Sequence, residues 1–270
     1  MKLTQFDVFD CLFSGGRDSA LACYIASRVA KRLGKKFRLV HIDTRISIPD
    51  TKEYIQQYAN WLGVELVTIR TTYDYFEYVR KWGYPSILKN RWCWRYLKQE
   101  PLYQFRISEL KEGVNSVWIA GIRKTESLLR LQTYGNLKNT LVHGTVKNLH
   151  TVNWFPIFYL TGSQVEQLIR EFRIPKNPVW EKVGISGDCL CFAAASRKVL
   201  EAVFTNYPEI AQKFYEFDKS LVSPHGKGEP IVLGLWSERK RLYQFIEEIR
   251  KKGRQTTLTE YMSCQGGCFV

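Results

Sequence analysis

The sequence has no long uninterrupted apolar run and no apolar core close to its first residue. Asp7 and Asp10 interrupt the first apolar segment, so no secretory signal peptide is expected. No apolar run approaches the length that crosses a bilayer, so neither a spanning helix nor a membrane partner is expected. Internal repeats and a low-complexity tail are also missing. These absences favour a globular cytoplasmic protein.

Acidic residues are scarce relative to basic ones. The chain of 270 residues carries 40 Lys and Arg against 26 Asp and Glu, a net charge of +14. Such an excess favours polyanionic partners, namely nucleotides or a nucleic acid such as tRNA or DNA. The basic segments 28–38, 80–106 and 237–254 are the candidates for a nucleic-acid track. The alternative is a solvated face that serves solubility.

A glycine turn follows the first apolar segment, and it lacks the Gly-Lys-Ser/Thr ending of the Walker-type loop. Apolar residues predict a strand over 6–13 and a helix over 20–33, so the turn joins a strand to a helix. Glycines allow close backbone approach, and a helix N-terminus attracts anions. The turn therefore predicts a phosphate site, in which serine hydroxyls bind phosphate oxygens and Asp18 holds Mg²⁺. The loop residues are Ser14, Gly15, Gly16, Arg17, Asp18 and Ser19.

Strands and helices alternate along residues 1–184. Predicted strands cover 6–13, 37–44, 64–69, 114–120 and 152–157, with helices over 20–33, 49–62, 73–82 and 161–172. This alternation predicts a three-layer α/β/α domain with a five-stranded, mainly parallel sheet. Ligands of such sheets bind at the carboxyl ends of strands, so Asp43 is a candidate ligand of a ribose or metal, or else a turn residue. Residues 185–270 are predicted to form a helical extension, with helices split near Pro208 and another over 237–252.

Four motifs carry a resemblance to a known family. The loop resembles the Ser-Gly-Gly-x-Asp-Ser signature of the PP-loop ATP pyrophosphatases, with Arg17 at the variable position. The other three are similar to motifs of the phosphoadenosine phosphosulfate (PAPS) reductase family, although Trp94 replaces the second cysteine of an Arg-Trp-Cys-Cys segment and a Cys-x-Cys replaces Cys-x-x-Cys. These motifs are Arg91–Trp94, Gly121–Ser127 and Asn177–Cys191. The resemblance covers about residues 6–195 and implies a Rossmann-like, adenine nucleotide alpha-hydrolase-like fold.

The resemblance implies a nucleotide enzyme. PP-loop pyrophosphatases cleave ATP between its α- and β-phosphates, which implies that the loop, Gly121, Arg123 and Glu126 bind the nucleotide. Arg123 can fork onto a phosphate or sulfate and is a candidate catalytic residue with Asp18. The intact Asp18 favours ATP-dependent adenylylation of an acceptor followed by sulfur transfer. The alternatives are a reductase of PAPS or adenosine phosphosulfate with a cysteine nucleophile, and a nucleotide- or RNA-binding module without catalysis.

Seven cysteines are present, and five of them favour chemistry. Cys11 and Cys23 are predicted to be small core residues with reduced thiols. Converging thiolates predict a zinc site or a [4Fe-4S] cluster, and Cys191 or Cys264 is a candidate free sulfur carrier. The alternative is a set of unrelated thiols. The predicted metal ligands are Cys93, Cys189, Cys191, Cys264 and Cys268. The acceptor (tRNA, DNA, sulfate or a small metabolite) and a homodimer remain open.

Overall fold

A computed structural model describes residues 1–86, 91–125, 131–132, 134, 136–193, 195–221 and 241–252. The strands are β1 (Val8–Leu12), β2 (Lys36–Asp43), β3 (Glu65–Arg70), β4 (Ser116–Ile119), β5 (Leu141–Val146) and β6 (Leu149–Trp154). The longer helices are α1 (Arg17–Leu33), α2 (Pro49–Leu62), α3 (Tyr75–Trp82), α4 (Glu100–Lys111), α5 (Gly162–Glu171), α6 (Pro178–Val183), α7 (Arg197–Asn206) and α8 (Pro208–Ser220). A helical turn (Trp92–Trp94) and a π-helical turn (Arg95–Gln99) lead directly into α4. Residues 242–252 are also helical. Within the described ranges, we find no helix with the length and hydropathy that a bilayer span requires.

The described chain divides into two compact units. The first unit combines Met1–Asp74 with Trp92–Leu190, and the second combines Tyr75–Arg91 with the described residues from Cys191 onward. Each unit therefore draws on two separate stretches of sequence. The predicted domains, 1–184 and 185–270, are contiguous segments and stay a prediction.

The first unit is built on a six-stranded sheet with the order β3-β2-β1-β4-β6-β5. Neighbouring strands are parallel except for β5, which pairs antiparallel with β6. The predicted α/β fold with a mainly parallel sheet is confirmed, but the predicted count of five strands is one too low. The additional strand is β5, which forms a hairpin with β6 through a turn at Lys147, where φ is +51°.

Helices cover both faces of this sheet, giving three layers. Side chains of α1, α2 and α5, including Leu21, Tyr54 and Val165, share one apolar core with the sheet. On the opposite face α4 packs Leu102 and Phe105 against Trp118 of β4. Burial of these apolar surfaces is the main stabilising contribution to the unit. The β1–α1 connection lies at the carboxyl edge of the sheet, where the other parallel strands also end.

Cys11 on β1 and Cys23 on α1 are both fully buried in this core, as predicted. The structure joins them by a disulfide, so the expectation of two reduced thiols is wrong for this pair. The physical reason is the packing of α1 on β1, which places the two Cα atoms 5.7 Å apart, within the range that a disulfide spans.

A buried group of charges lies beneath α4. Arg38 of β2 donates to both carboxylate oxygens of Asp10, at 2.7 and 2.9 Å, and to Glu109 of α4 at 3.0 Å. Glu109 also accepts from Ser116 and from the Trp118 indole, at 3.0 and 3.1 Å. Buried charges need such partners, because an unpaired one carries a large desolvation cost. The group therefore fixes α4 against the sheet.

Asp10 makes stability depend on pH. Burial is the main cause that raises its pKa to about 7, helped by the nearby Glu109 and opposed by Arg38. Between about pH 4 and pH 7, the folded protein therefore keeps a proton on Asp10, whereas the unfolded chain, in which the pKa of Asp10 is near 3.8, has released it. The stabilisation that Asp10 contributes to the free energy of unfolding is therefore largest below about pH 4. It decreases as the pH rises from about 4 to 7, and it does not change further above pH 7. We expect the stability difference between wild type and Asp10→Asn to show this fall in urea unfolding at several pH values. A difference that stays constant from pH 4 to 7.5 would contradict it.

The second unit has an aromatic core of its own. Phe76 of α3 packs on Phe217 of α8 with ring centroids 4.6 Å apart, and Phe192 packs on Phe214 at 4.9 Å. The Tyr84 hydroxyl donates to the buried carboxylate of Asp218 at 2.9 Å. The predicted pair of helices split near Pro208 corresponds to α7 and α8. Of the predicted helix over 237–252, residues 237–240 lie outside the described residues.

Candidate active site

The Ser14–Ser19 loop forms a turn at the start of α1. Gly15 has φ +71°, a conformation that glycine adopts without strain, and the turn is closed by an Ala20 N–H···O=C Gly16 hydrogen bond of 2.9 Å. The hydroxyl oxygens of Ser14 and Ser19 lie 3.2 Å apart. No side chain caps the helix at Gly16, and the first N–H groups of a helix have no intrahelical acceptor. The Ser19 hydroxyl donates to the Gly16 carbonyl at 2.9 Å, and the Gly16 N–H donates to Ser14 Oγ at 3.4 Å. The loop therefore brings two hydroxyls and the amide groups at the start of α1 to one point, an arrangement in which phosphate oxygens would replace these local partners.

Two arginines face the carboxylate of Asp18. Arg123, which follows β4, donates from Nε to Oδ2 at 2.9 Å, and Arg17 Nε lies 3.4 Å from Oδ1. Arg17 also donates to Glu166 of α5 at 2.7 Å, and its guanidinium carbon lies 5.2 Å from the centre of the Trp180 ring. The Arg123 side chain is only 9% exposed. The guanidinium of Arg123 is thus held beside the loop, where it can bind an incoming anion in a forked geometry.

Gly121 places β4 against the start of α1. A Cβ atom at this position would lie 2.6 Å from the backbone C of Asp18 and 2.6 Å from the backbone N of Ser19. Only glycine permits so close an approach of two backbones. The predicted site residue Gly121 therefore fixes the position of the loop.

The segment before and after α6 holds the loop from the other side. Asn177 donates from Nδ2 to the carbonyl of Gly15 at 2.9 Å and to that of Ser186 at 3.0 Å. The Thr51 hydroxyl donates to the same Ser186 carbonyl at 2.7 Å. A Cβ at Gly187 would lie 2.6 Å from Thr51 Oγ1, and Gly187 has φ +71°. This packing ties the Ser186–Asp188 turn to the phosphate loop.

Asp188 forms an ion pair in the same place. Its carboxylate accepts from Lys98 at 2.8 Å and from the Ser186 hydroxyl at 2.6 Å. Burial opposes ionisation, but Lys98 and Ser186 outweigh it and lower the pKa of Asp188 below its ordinary value. His41 of β2 has a pKa lowered by burial, and its Nδ1 lies 3.0 Å from the Phe13 carbonyl oxygen. The site thus contains a charged pair, Lys98 and Asp188, and a neutral imidazole, His41.

A cleft of about 580 Å³ opens beside the loop. This volume lies in the range of small-molecule sites. The cleft is bounded by the loop and Arg123 at one end, by Lys98 and Asp188, and by the strand residues Trp118 and Asn153. The loop, Arg123 and the Lys–Asp pair meet around one cavity at the carboxyl edge of the sheet.

Among the described residues, the predicted nucleotide ligands Gly15 and Asp43 do not line this cleft. Asp43 is buried, and its carboxylate accepts from the Arg45 N–H at 2.9 Å, from Lys52 at 3.1 Å and from Arg70 at 3.1 Å. These donors match the alternative of a strand-end turn residue, and a role for Asp43 in binding a ribose or metal stays a prediction. Glu126 lies outside the described residues.

Three predicted metal ligands lie in the described part of the chain. Cys93 is buried in the first unit, and Cys189 and Cys191 are partly exposed. No group of three or more His, Cys, Asp or Glu side chains placed to hold a metal occurs in the described ranges. Cys264 and Cys268 lie outside them. The described residues by themselves therefore do not fit a zinc or iron–sulfur site, and the shared site stays a prediction.

Sequence reasoning did not select Lys98, Asn177 or Asp188 as site residues. Asn177 and Asp188 lie within the Asn177–Cys191 motif of the family resemblance, and Lys98 follows the Arg91–Trp94 motif by four residues, so these motifs were the available signal. Lys98 was counted only as one of many surface charges, whereas its side chain pairs with Asp188 at 2.8 Å. Lys98 contacts Asp188 across 90 residues of sequence, and Asn177 contacts Gly15 across 162 residues. Composition does not reveal contacts between residues so far apart in the chain.

Comparison with known proteins places the chain in a family. The model of the phosphoadenosine phosphosulfate reductase domain matches residues 10–210. The uncharacterized protein MJ0066 of Methanocaldococcus jannaschii is 27% identical over 225 residues, covering 83% of this chain and 44% of that protein. MJ0973 of the same organism is 28% identical over 248 residues, covering 89% of this chain and 55% of that protein. The chain spans about half the length of these relatives.

Among solved structures, the PAPS reductase of Candida auris in complex with phosphate has a TM-score of 0.47 at 17% identity, covering 65% of this chain and 77% of that one. The family match extends over the phosphate loop, Arg123 and Asp188 and thus over all the site residues described above. The chain belongs to the phosphoadenosine phosphosulfate reductase domain family.

Proposed function

We propose that this protein binds ATP at the Ser14–Ser19 loop and cleaves it between the α- and β-phosphates, leaving AMP on an acceptor that then receives sulfur. The observation that carries the proposal is the intact loop. Two hydroxyls 3.2 Å apart and the start of α1 meet Asp18 and Arg123, which are paired at 2.9 Å. A loop with these anion-binding groups and one carboxylate, Asp18, suits a polyphosphate with its metal ion.

The first step is a displacement at the α-phosphorus. An oxygen or nitrogen of the acceptor attacks, the bond to the bridging oxygen breaks, and pyrophosphate leaves with the electron pair. Loop amides and Arg123 stabilise the negative charge that develops on the phosphate oxygens. Because Arg123 is nearly buried, it is already oriented before the nucleotide arrives, which lowers the cost of reorganisation.

Mg²⁺ is the expected metal of this step. Mg²⁺ is usually bound by one or two carboxylates together with substrate phosphates, and Asp18 is the carboxylate of the loop. Its two oxygens face Arg17 and Arg123. Binding of the triphosphate would give both guanidinium groups another anion to contact and release Asp18 for the ion.

Sulfur transfer would follow on the adenylylated acceptor. The outer sulfur of a cysteine persulfide attacks the activated carbon of the acceptor, and AMP leaves with the oxygen or nitrogen that it had modified. The acceptor is then joined to the carrier cysteine through an S–S bond. A second cysteine thiolate cleaves this bond by forming a disulfide with the carrier cysteine, and the sulfur stays on the acceptor. Cys191 and Cys264 are the proposed carriers of that sulfur. Cys93, Cys189 and Cys268 are the other proposed ligands of a zinc or [4Fe-4S] site. No step is assigned to that centre, since the described residues do not form it.

A second candidate is reduction of PAPS or adenosine phosphosulfate, and membership of the family supports it. There a cysteine thiolate attacks the sulfur and the nucleotide leaves. The test is an anaerobic incubation of the protein with Mg²⁺ and either ATP or PAPS, followed by separation of the products. AMP and pyrophosphate from ATP in the presence of tRNA or a metabolite extract would support adenylylation. Release of adenosine bisphosphate from PAPS, with no consumption of ATP, would favour the reductase instead.

A nucleic acid is the proposed polyanionic partner, and the end of α1 is the surface that supports it. Arg28, Lys31 and Arg32 are exposed there, about 20 Å along the helix from the phosphate loop. Three other basic residues of the predicted segments are paired within the protein: Arg38 and Arg106 pair with Glu109, and Lys98 pairs with Asp188. Arg80, Lys81, Arg91 and Arg95 of the segment 80–106 are exposed. The predicted track is thus smaller than the sequence indicated.

Replacing Arg28, Lys31 and Arg32 together with Ser tests this surface. We expect weaker tRNA binding and a shallower dependence of log K on log salt concentration. The slope should fall by up to about 0.7–0.9 for each phosphate that the variant no longer neutralises. Affinity for ATP should not change. Titration of tRNA at two salt concentrations is the measurement, and equal binding by wild type and variant at both would contradict the proposal.

A further inference from the structure

The cleft extends beyond the phosphate loop to the β5–β6 hairpin. In the sheet, β4 lies between β1 and β6, so the wall formed by β6 is two strands, or about 10 Å, from the strand that carries the loop. Thr145, Thr151 and Asn153 of this hairpin line the cleft. None of these residues belongs to a motif of the family resemblance, and the phosphate chemistry above does not use them.

Asn153 presents a carboxamide to this end of the cleft. Its Nδ2 donates to Thr151 Oγ1 at 3.2 Å, the one hydrogen bond that its side chain makes within the described residues. A carboxamide has two donor hydrogens and an acceptor oxygen. The remaining donor and the acceptor are therefore available to a ligand in the cleft.

The hairpin is shaped to hold this carboxamide. Gly144 of β5 pairs with Thr151 of β6, and a Cβ at Gly144 would lie 2.1 Å from Asn153 Nδ2 and 3.1 Å from Thr151 Oγ1. The amide thus lies over the one position of β5 that has no side chain. Glycine inside a strand usually weakens the strand and marks a place where another group approaches the backbone closely. Here the group that approaches Gly144 is the side-chain amide of Asn153.

Aromatic rings accompany Asn153 in the cleft. Trp118, Tyr134 and Phe155 line the same cavity, and Trp94 lies on its wall with 46% of its surface exposed. No aromatic ring of the described chain stacks on Trp94. An exposed ring together with an amide can recognise an unstacked nucleobase, the ring by stacking on its face and the amide by hydrogen bonding to its edge.

We propose that Asn153 is a specificity-determining residue that reads a donor–acceptor edge of a nucleobase in the acceptor, with Trp94 as a stacking surface at the cleft wall. The proposal rests on the proposed function, because it assigns the acceptor to the end of the cleft that ATP phosphates do not occupy. It names the acceptor class as a nucleobase, free or in a nucleic acid.

The experiment uses the full chain saturated with the ATP analogue α,β-methylene-ATP, to which uridine, cytidine, adenosine and guanosine are added separately in calorimetric titrations. Nucleosides carry no phosphate and so do not compete for the loop. We expect wild type to bind at least one of them. Asn153→Leu should weaken that binding at least tenfold, and Gly144→Ala should do the same by displacing the amide. Trp94→Ala should weaken the binding of every nucleoside that wild type binds. Asn60→Leu and Trp61→Ala, at exposed positions of α2 outside the cleft, are the matched controls.

Three results would overturn the inference. If wild type binds the analogue but no nucleoside, the inference about Asn153 is overturned while the proposed function stands. The same holds if a folded Asn153→Leu protein keeps full affinity for the nucleosides. A loss of analogue affinity in Asn153→Leu would assign the residue to ATP itself. Wild type that does not bind the analogue would instead overturn the proposed function on which the inference rests.

Discussion

Asp18→Ala is expected to abolish release of pyrophosphate from ATP while the protein stays folded. Asp18 is the carboxylate of the phosphate loop, and its removal takes away the proposed Mg²⁺ ligand and the partner of Arg123, which lies 2.9 Å away. Loss of a group that acts on the developing charge costs about 100- to 1,000-fold in rate, and we expect at least that. Because Arg123 is only 9% exposed and loses this partner, we expect the melting temperature to fall, with the variant still folded at the assay temperature.

The measurement is the initial rate of pyrophosphate formation, with circular dichroism to confirm folding. Asp7→Ala is the matched control, because Asp7 is also paired with a basic residue, Lys35, but has a 69% exposed side chain away from the cleft. Turnover in Asp18→Ala equal to that of wild type would rule out the mechanism proposed for ATP cleavage.

Gly121→Ala is expected to abolish ATP binding, because Gly121 lies outside the Ser14–Ser19 loop but a methyl group there would displace the loop. The new methyl group would lie 2.6 Å from backbone atoms of both Asp18 and Ser19, a distance that requires the backbone to move. Overpacking of this kind costs about 1–3 kcal/mol of stability, and the shift falls on the residues that contact phosphate. We therefore expect at least about a 100-fold loss of affinity for α,β-methylene-ATP, since even a 1 Å misplacement can have that effect.

Gly162→Ala is the matched control for this substitution. Its Cβ would come no closer than 3.9 Å to Arg123 and 4.0 Å to Arg17, which is ordinary contact, and the position begins α5. That variant should bind the analogue as wild type does. Equal affinity in Gly121→Ala and wild type would show that the contact between β4 and α1 does not determine the geometry of the loop.

The parts of the fold that the sequence predicted well have local signals. The second helix was predicted at 49–62 and runs from Pro49 to Leu62, because a proline at its first position and Gly63 in the left-handed conformation after it mark both ends. The phosphate loop was likewise predicted from six adjacent residues. In both cases the information lies within one short stretch of chain.

The parts that could not be predicted depend on long-range packing. The β5–β6 hairpin turns at Lys147 and Asn148 without a glycine, so the usual hairpin signal is missing. Arg38 appeared to belong to an exposed basic run, but its guanidinium pairs with Asp10 and Glu109, and Glu109 is 71 residues away along the chain. Asn177 reaches the loop across 162 residues. Neither hydrophobic periodicity nor motif spacing in the sequence indicates contacts between residues so far apart in the chain.

The central claim is that the Ser14–Ser19 loop binds the phosphates of ATP and exposes the α-phosphorus to the cleft. A crystal structure of the full chain with α,β-methylene-ATP and Mg²⁺ tests it most directly. We predict phosphate oxygens within hydrogen-bonding distance of Ser14 Oγ, the Gly16 N–H and Ser19 Oγ, with the α-phosphate beside Arg123 and open toward Asn153. A nucleotide whose phosphates lie away from this loop, with the Asp18–Arg123 pair unchanged, would contradict it.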